Sequence, residues 1–145
     1  MREQGAQPTL SLLVLDDRHR ARFAFTRVRT QQVRGRHLVT VGFRERRGPT
    51  LIFNLQGDPV FSSGEITVEP SSGRITRATL SLTIDTVRIT LTTTYGEDTR
   101  LGIWVPVRFG EHYVDGSKKG PYFEEIVCEA RYTNFHQFEV RTRIR

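Results

Sequence analysis

The sequence predicts an all-β fold: an antiparallel meander of about 8–9 strands that curls on itself, with little helix. Three observations lead there. Apolar and polar residues alternate with period 2 from Arg20 onward. Gly-, Pro- and Asp-containing turn signals interrupt the alternation at short intervals. No segment carries a sustained helical period, so no crossover is long enough for parallel βαβ pairing.

Taken in order, residues 1–19 form a partly ordered N-terminal extension and residues 20–145 a single β domain. Leu10–Leu15 fits a helical turn or a strand equally, and Asp16-Asp17 ends it. Arg20 to Arg29 places Phe23 and Phe25 on one face, and His37 to Glu45 aligns Val39, Val41 and Phe43. Arg46-Arg47-Gly48-Pro49 turns into Thr50 to Leu55, where Leu51, Phe53 and Leu55 align; Gly57-Asp58-Pro59 turns again, and Ile66 and Val68 face inward. Glu69-Pro70-Ser71-Ser72-Gly73 is the clearest hairpin, with proline presetting φ and glycine free to take a left-handed conformation.

The return strand, Arg74 to Asp85, aligns Ala78, Leu80, Leu82 and Ile84, and the next carries Val87, Ile89 and Leu91. After Gly96-Glu97-Asp98, Ile103, Val105, Val107 and Phe109 read as one stripe, with Pro106 marking an edge strand or a bulge. Asp115 to Pro121 is the longest loop. Pro121 to Asn134 is a long strand with Ile126, Cys128, Ala130 and Tyr132 on one face, and Phe138, Val140, Thr142 and Ile144 mark the last strand.

Charge is uneven. Residues 1–50 hold 11 Lys/Arg against 4 Asp/Glu, so the net +6 belongs to this first third, through Arg18, Arg20, Arg22, Arg27, Arg29, Arg34, Arg36, Arg44, Arg46 and Arg47. Such a cluster suits an acidic partner, phosphate or lipid head groups, or is simply a solvated strand face. Nucleic acid is not expected, because Phe23, Phe25 and Phe43 lie on the core face rather than beside the arginines as a stacking platform requires. No stretch is long and apolar enough for a secretory leader or a membrane span.

The residues offer little chemistry. Phosphate loops, dinucleotide fingerprints and metal-ligand spacings are absent. Asp16, Asp17 and His19 form the only compact acid/histidine group, better suited to capping a turn. Glu124 and Glu125, a candidate carboxylate pair, point to opposite faces of a strand and cannot easily share one proton or one metal. Cys128, the lone cysteine, reads as a small buried hydrophobe. The chain is therefore expected to be non-enzymatic, without metal or cofactor.

Three stretches in order carry a resemblance: Gly64 to Ile75, Tyr95 to Val107 (with Leu101-Gly102-Ile103-Trp104-Val105-Pro106), and Ala130 to Val140 (with Tyr132-Thr133-Asn134-Phe135). Together they resemble β-rich envelope proteins of acidobacterial type and, more distantly, are similar to the outer-membrane lipoprotein-sorting superfamily (LolA, LppX and RseB-like). The resemblance implies a curved antiparallel sheet that forms an open or half barrel, and export to the periplasm or outer membrane. It also implies a concave apolar face binding a lipid or lipidated peptide. The expected liners are Val39, Val41, Phe43, Phe53, Val68, Leu80, Leu82, Ile89, Leu91, Val105 and Val107. The chain lacks the lid helices of those carriers, which suggests a C-terminal part of a longer exported protein whose missing N-terminal segment covers the sheet. The alternative is a protein-interaction or structural module that uses edge strands and the basic first third.

Overall fold

The computed structural model describes residues 9–117 and 124–136. A seven-stranded antiparallel sheet dominates it, in the order β1 (Phe23–Val33), β2 (Arg36–Glu45), β5 (Ser63–Glu69), β6 (Arg74–Ile84), β7 (Val87–Asp98), β8 (Ile103–Asp115) and β9 (Glu125–Arg131). The short pair β3 (Ile52–Phe53) and β4 (Pro59–Val60) lies in the excursion between β2 and β5. The sheet is an open meander, not closed into a barrel. The expected last strand, Phe138 to Ile144, lies outside the described residues.

Direct register partners share a face, so the core can be read across the ladder. Phe43, Gly64, Leu80 and Leu91 form one row, and Val41, Ile66, Ala78, Thr93 and Phe109 the next. Of these, Phe43, Ile66, Ala78, Leu80, Leu91 and Phe109 are buried in one cluster with Phe23, Val60, Leu82 and Tyr95. Phe23 packs edge-on to Phe43, with ring centroids 5.8 Å apart. On the opposite face Thr40 and Thr67, opposed in register, share a hydroxyl hydrogen bond of 3.0 Å.

Three single-residue bulges change the expected phase. Val28 in β1, Thr76 in β6 and Val107 in β8 each have no register partner. The bulge at Val107 accommodates Pro106 inside a central strand, so β8 is not an edge. It also splits the Ile103–Phe109 stripe. Phe109 stays in the core, Trp104 turns toward it, and Val105 and Val107 move to the face of Gly96. Trp104 is fixed there by donating its indole N–H to the Ile75 carbonyl at 2.7 Å, while the Arg74 guanidinium stacks 4.9 Å from its ring.

The sheet is not bare. Leu10–Leu15 forms a 3₁₀ helix and Asp17–Arg20 one α-helical turn, α1, which Asp16 caps by accepting from the Arg18 N–H. Val14 is fully buried in the sheet's core, and Leu10 and Leu12 pack beside it. Tyr95 meets this segment: burial pushes its phenol up, opposed by the Thr93 and Ser11 side chains. The excursion covers a second part of the face with Val60, Leu51 and Ile52. Its expected strand Thr50–Leu55 shrinks to Ile52–Phe53. Phe53 is half exposed and Leu55 fully exposed, because Asn54 Oδ1 accepts from the Gln56 and Asp58 N–H groups and bends the chain into a loop.

Candidate functional site

The eleven expected liners do not form one cavity wall. Phe43, Leu80, Leu82 and Leu91 are consumed by the core cluster. Val39 is buried, Val41, Val68 and Ile89 are half buried, and Phe53 sits on the excursion. Val105 and Val107 occupy the other face. Cys128, expected inside, is exposed, as are all the residues of β9. Among the described residues no group of three or more His, Cys, Asp or Glu side chains is placed to hold a metal ion, and no helix is long and apolar enough to cross a membrane.

What the fold does bring together lies at the β1 edge. The β1–β2 hairpin turns at Arg34-Gly35, both with positive φ, a two-residue turn whose twist suits adjoining strands. β1 therefore runs four residues further than the apolar alternation indicates. Only Phe23 is buried and Ala24 half buried; every residue from Phe25 to Val33 is exposed. The Arg46 N–H donates to the Arg22 carbonyl, so alternate backbone groups at Ala24 and Thr26 face β2. Those of Phe23, Phe25 and Arg27 face outward.

The basic cluster divides into neutralised and unpaired members. Arg18 and Arg20 pair with Asp16 and Asp17, Arg29 with Glu65 at 3.2 Å, and Arg36 with Glu69. Arg27, Arg34, Arg44 and Arg46 have no ion pair among the described residues. Arg44 and Arg46 flank a groove of about 350 Å³ with Ala24, Thr26, Phe43, Ser63 and Gly64, directly beside β1. β1 itself contains no acidic residue. Among the described residues the result is a long unpaired strand edge with a basic flank.

Glu69 anchors the other end of this region. The Arg36 guanidinium and then the Ser72 hydroxyl hold its carboxyl below the usual carboxylate range. Gly73 closes the same turn in a left-handed conformation at φ 70° and donates to the Glu69 carbonyl at 2.8 Å. A depressed carboxyl stabilises the fold above its unfolded pKa and loses that contribution as pH falls through its folded value. In an NMR titration, the Glu69 carboxyl is expected to titrate below the ordinary glutamate range, and Arg36→Ala to move it up toward that range. The acids that decide this pairing lie 33 and 36 residues from their arginines, beyond any local sequence signal.

Comparison with protein-family models, curated proteins and solved structures finds no match to this chain.

Proposed function

We propose that this domain is a protein-interaction module that binds an extended, acidic segment of a partner by strand addition along β1. The observation that carries the reading is the β1 edge, open among the described residues, with outward backbone groups at Phe23, Phe25 and Arg27 and with Arg27, Arg44 and Arg46 around it, none of them ion-paired among those residues. Main-chain hydrogen bonds supply affinity in this mode, and alternate side chains supply selectivity. The filled core supports it further, since Val14 and the excursion occupy much of the apolar face that a carrier would keep open.

The test is fluorescence anisotropy with a labelled peptide of alternating valine and glutamate. Binding is expected to weaken steeply with salt, and an alternating valine–lysine peptide is expected not to bind. Arg44→Glu with Arg46→Glu is expected to weaken binding by about tenfold or more. Arg27→Pro, which removes an outward N–H without touching the β1–β2 ladder, is expected to do the same. Equal affinity for both peptides, or indifference to both variants in folded protein, overturns the reading.

A second reading, acyl-chain binding, has one observation in its favour. Beyond the covered part of the apolar face, Ile126, Cys128 and Ala130 are exposed beside Tyr113 and Ile89. Native mass spectrometry of gently purified protein decides it, with a co-purified lipid expected only under this reading.

A further inference from the structure

We infer that the β9 edge is a self-association surface, at which two copies of this chain pair antiparallel about a two-fold axis through Cys128. The inference goes beyond the β1 reading and uses the opposite edge of the sheet.

The backbone sets the phase. The Tyr132 N–H donates to the Val107 carbonyl at 3.0 Å, and the Glu124 carbonyl accepts from the Asp115 N–H at 3.3 Å. Even-numbered residues of β9 therefore direct their N–H and C=O groups toward β8. Glu125, Val127, Glu129 and Arg131 direct theirs outward. Among the described residues nothing pairs with that side. The edge is also apolar in part: Ile126 is 57% and Val127 69% exposed. An exposed edge of this kind is a template for another strand.

The sequence of the strand selects the partner. Laid antiparallel against itself with Cys128 opposite Cys128, β9 places Glu125 opposite Arg131 twice, once on each side of the axis. The same register puts Ile126 opposite Ala130 on the core face and Val127 opposite Glu129 on the other. Sliding by two residues in one direction opposes Glu125 with Glu129, and in the other opposes Glu129 with itself. Like charges directly opposite one another are unfavourable in a sheet, whereas opposite charges are favourable. Among registers that oppose five or more residues of β9, only the Cys128-centred one opposes unlike charges without opposing like ones.

The parity agrees with this register. Glu125 with Arg131 and Val127 with Glu129 become the hydrogen-bonded pairs, using the backbone groups that already point outward. Cys128 with Cys128 becomes a non-hydrogen-bonded pair, with Cα atoms about 4.5 Å apart. The two-fold axis runs normal to the sheet, so both apolar faces lie on the same side and the two β1 edges lie at the far ends. Isologous two-fold contacts are the commonest form of self-assembly. Glu125 touches His112 of its own chain, and Glu129 touches Arg108 and Arg131; all of these side chains stay part-exposed, so the pairs across the axis would share or exchange these contacts.

The test uses the full chain in reductant, followed by sedimentation velocity over a concentration series, and copper–phenanthroline oxidation as a distance probe. A dimer is expected, with a Cys128–Cys128 link formed in high yield under oxidation and abolished in Cys128→Ser, which still dimerises. Glu125→Arg alone and Arg131→Glu alone are each expected to weaken the dimer by about tenfold or more. The double reversal, which restores both charge pairs, is expected to recover it. A monomer at all concentrations overturns the inference, whichever other segment takes the edge, the chain's own residues 137–145 included. So does a dimer indifferent to the single reversals, or one lost in Arg27→Pro, which places the contact at β1.

Discussion

Gly64→Ala is expected to cost about 3 kcal/mol or more, lowering the midpoint of thermal unfolding by about 10 °C. Glycine in a strand ordinarily weakens it, so replacing one with alanine usually helps. Here the sign reverses. Gly64 stands between Phe43 on β2 and Leu80 on β6, and a Cβ there falls 2.0 Å from the Thr79 carbonyl oxygen and 2.6 Å from Phe43 Cζ. The carbonyl cannot yield without separating β5 from β6. The Phe43 ring cannot yield either, because it is buried and packed edge-on against Phe23. The side-chain link from Thr79 Oγ1, which accepts from the Glu65 N–H at 3.2 Å, holds the same strands at the same point. Gly110→Ala is the control. Its Cβ meets nothing nearer than 3.9 Å, and its effect is expected to stay within about 0.5 kcal/mol. Chemical denaturation of the two variants side by side is the measurement, and equal stability refutes the argument.

The same residues show what was legible in the sequence. Alternation places Phe23, Phe43, Ile66, Ala78, Leu80, Leu82 and Leu91 on the core side, because a strand with one buried face must repeat every two residues. Single-residue insertions escape that logic. The bulge at Val107 exchanges Trp104 for Val105 at the core, and no local pattern marks which residue of Trp104-Val105-Pro106-Val107 is the extra one. The run Thr30 to Gln32 is polar, so the end of β1 is hidden until the Arg34-Gly35 turn is recognised as the signal. Leu10–Leu15 is too short to show a period, yet its Val14 fills the core. At the candidate site the basic cluster was visible from composition. Which arginines remain unpaired was not, because Glu65 and Glu69 reach Arg29 and Arg36 only through the β2–β5 pairing. Edges are likewise properties of topology: Pro106 marks a bulge in a central strand, while Cys128, on an apolar stripe, is exposed on the outermost of the described strands.

Glu45→Ala is expected to destabilise the domain by about 3–4 kcal/mol and to loosen the excursion between β2 and β5 before the sheet itself melts. Glu45 ends β2, opposite Phe23, and is buried although it is charged. Its two oxygens are fully engaged: Oε1 accepts from the Leu51 N–H at 3.0 Å, and Oε2 from the Ser62 N–H and hydroxyl at 3.1 and 3.0 Å. Leu51 lies near the start of the excursion and Ser62 at its end, so one carboxylate ties both ends of residues 46–62 to the sheet. The Glu45 N–H adds a backbone bond to the Ser62 carbonyl at 2.9 Å. Removing the side chain leaves three donors without an acceptor in a buried place, each costing about 1–3 kcal/mol less whatever water can recover. Glu45→Gln discriminates between lost volume and lost acceptors. It keeps the shape but turns an amide NH₂ toward an N–H or hydroxyl, so it is expected to lose about half as much. Because the excursion carries Val60, Leu51 and Ile52 onto the core and exposes Leu55 completely, its release has a local readout. Limited proteolysis is expected to cut near Leu55 faster in Glu45→Ala while amides of β6 and β7 keep their exchange protection. Uniform loss of protection across the sheet refutes the local role and makes Glu45 part of the global core.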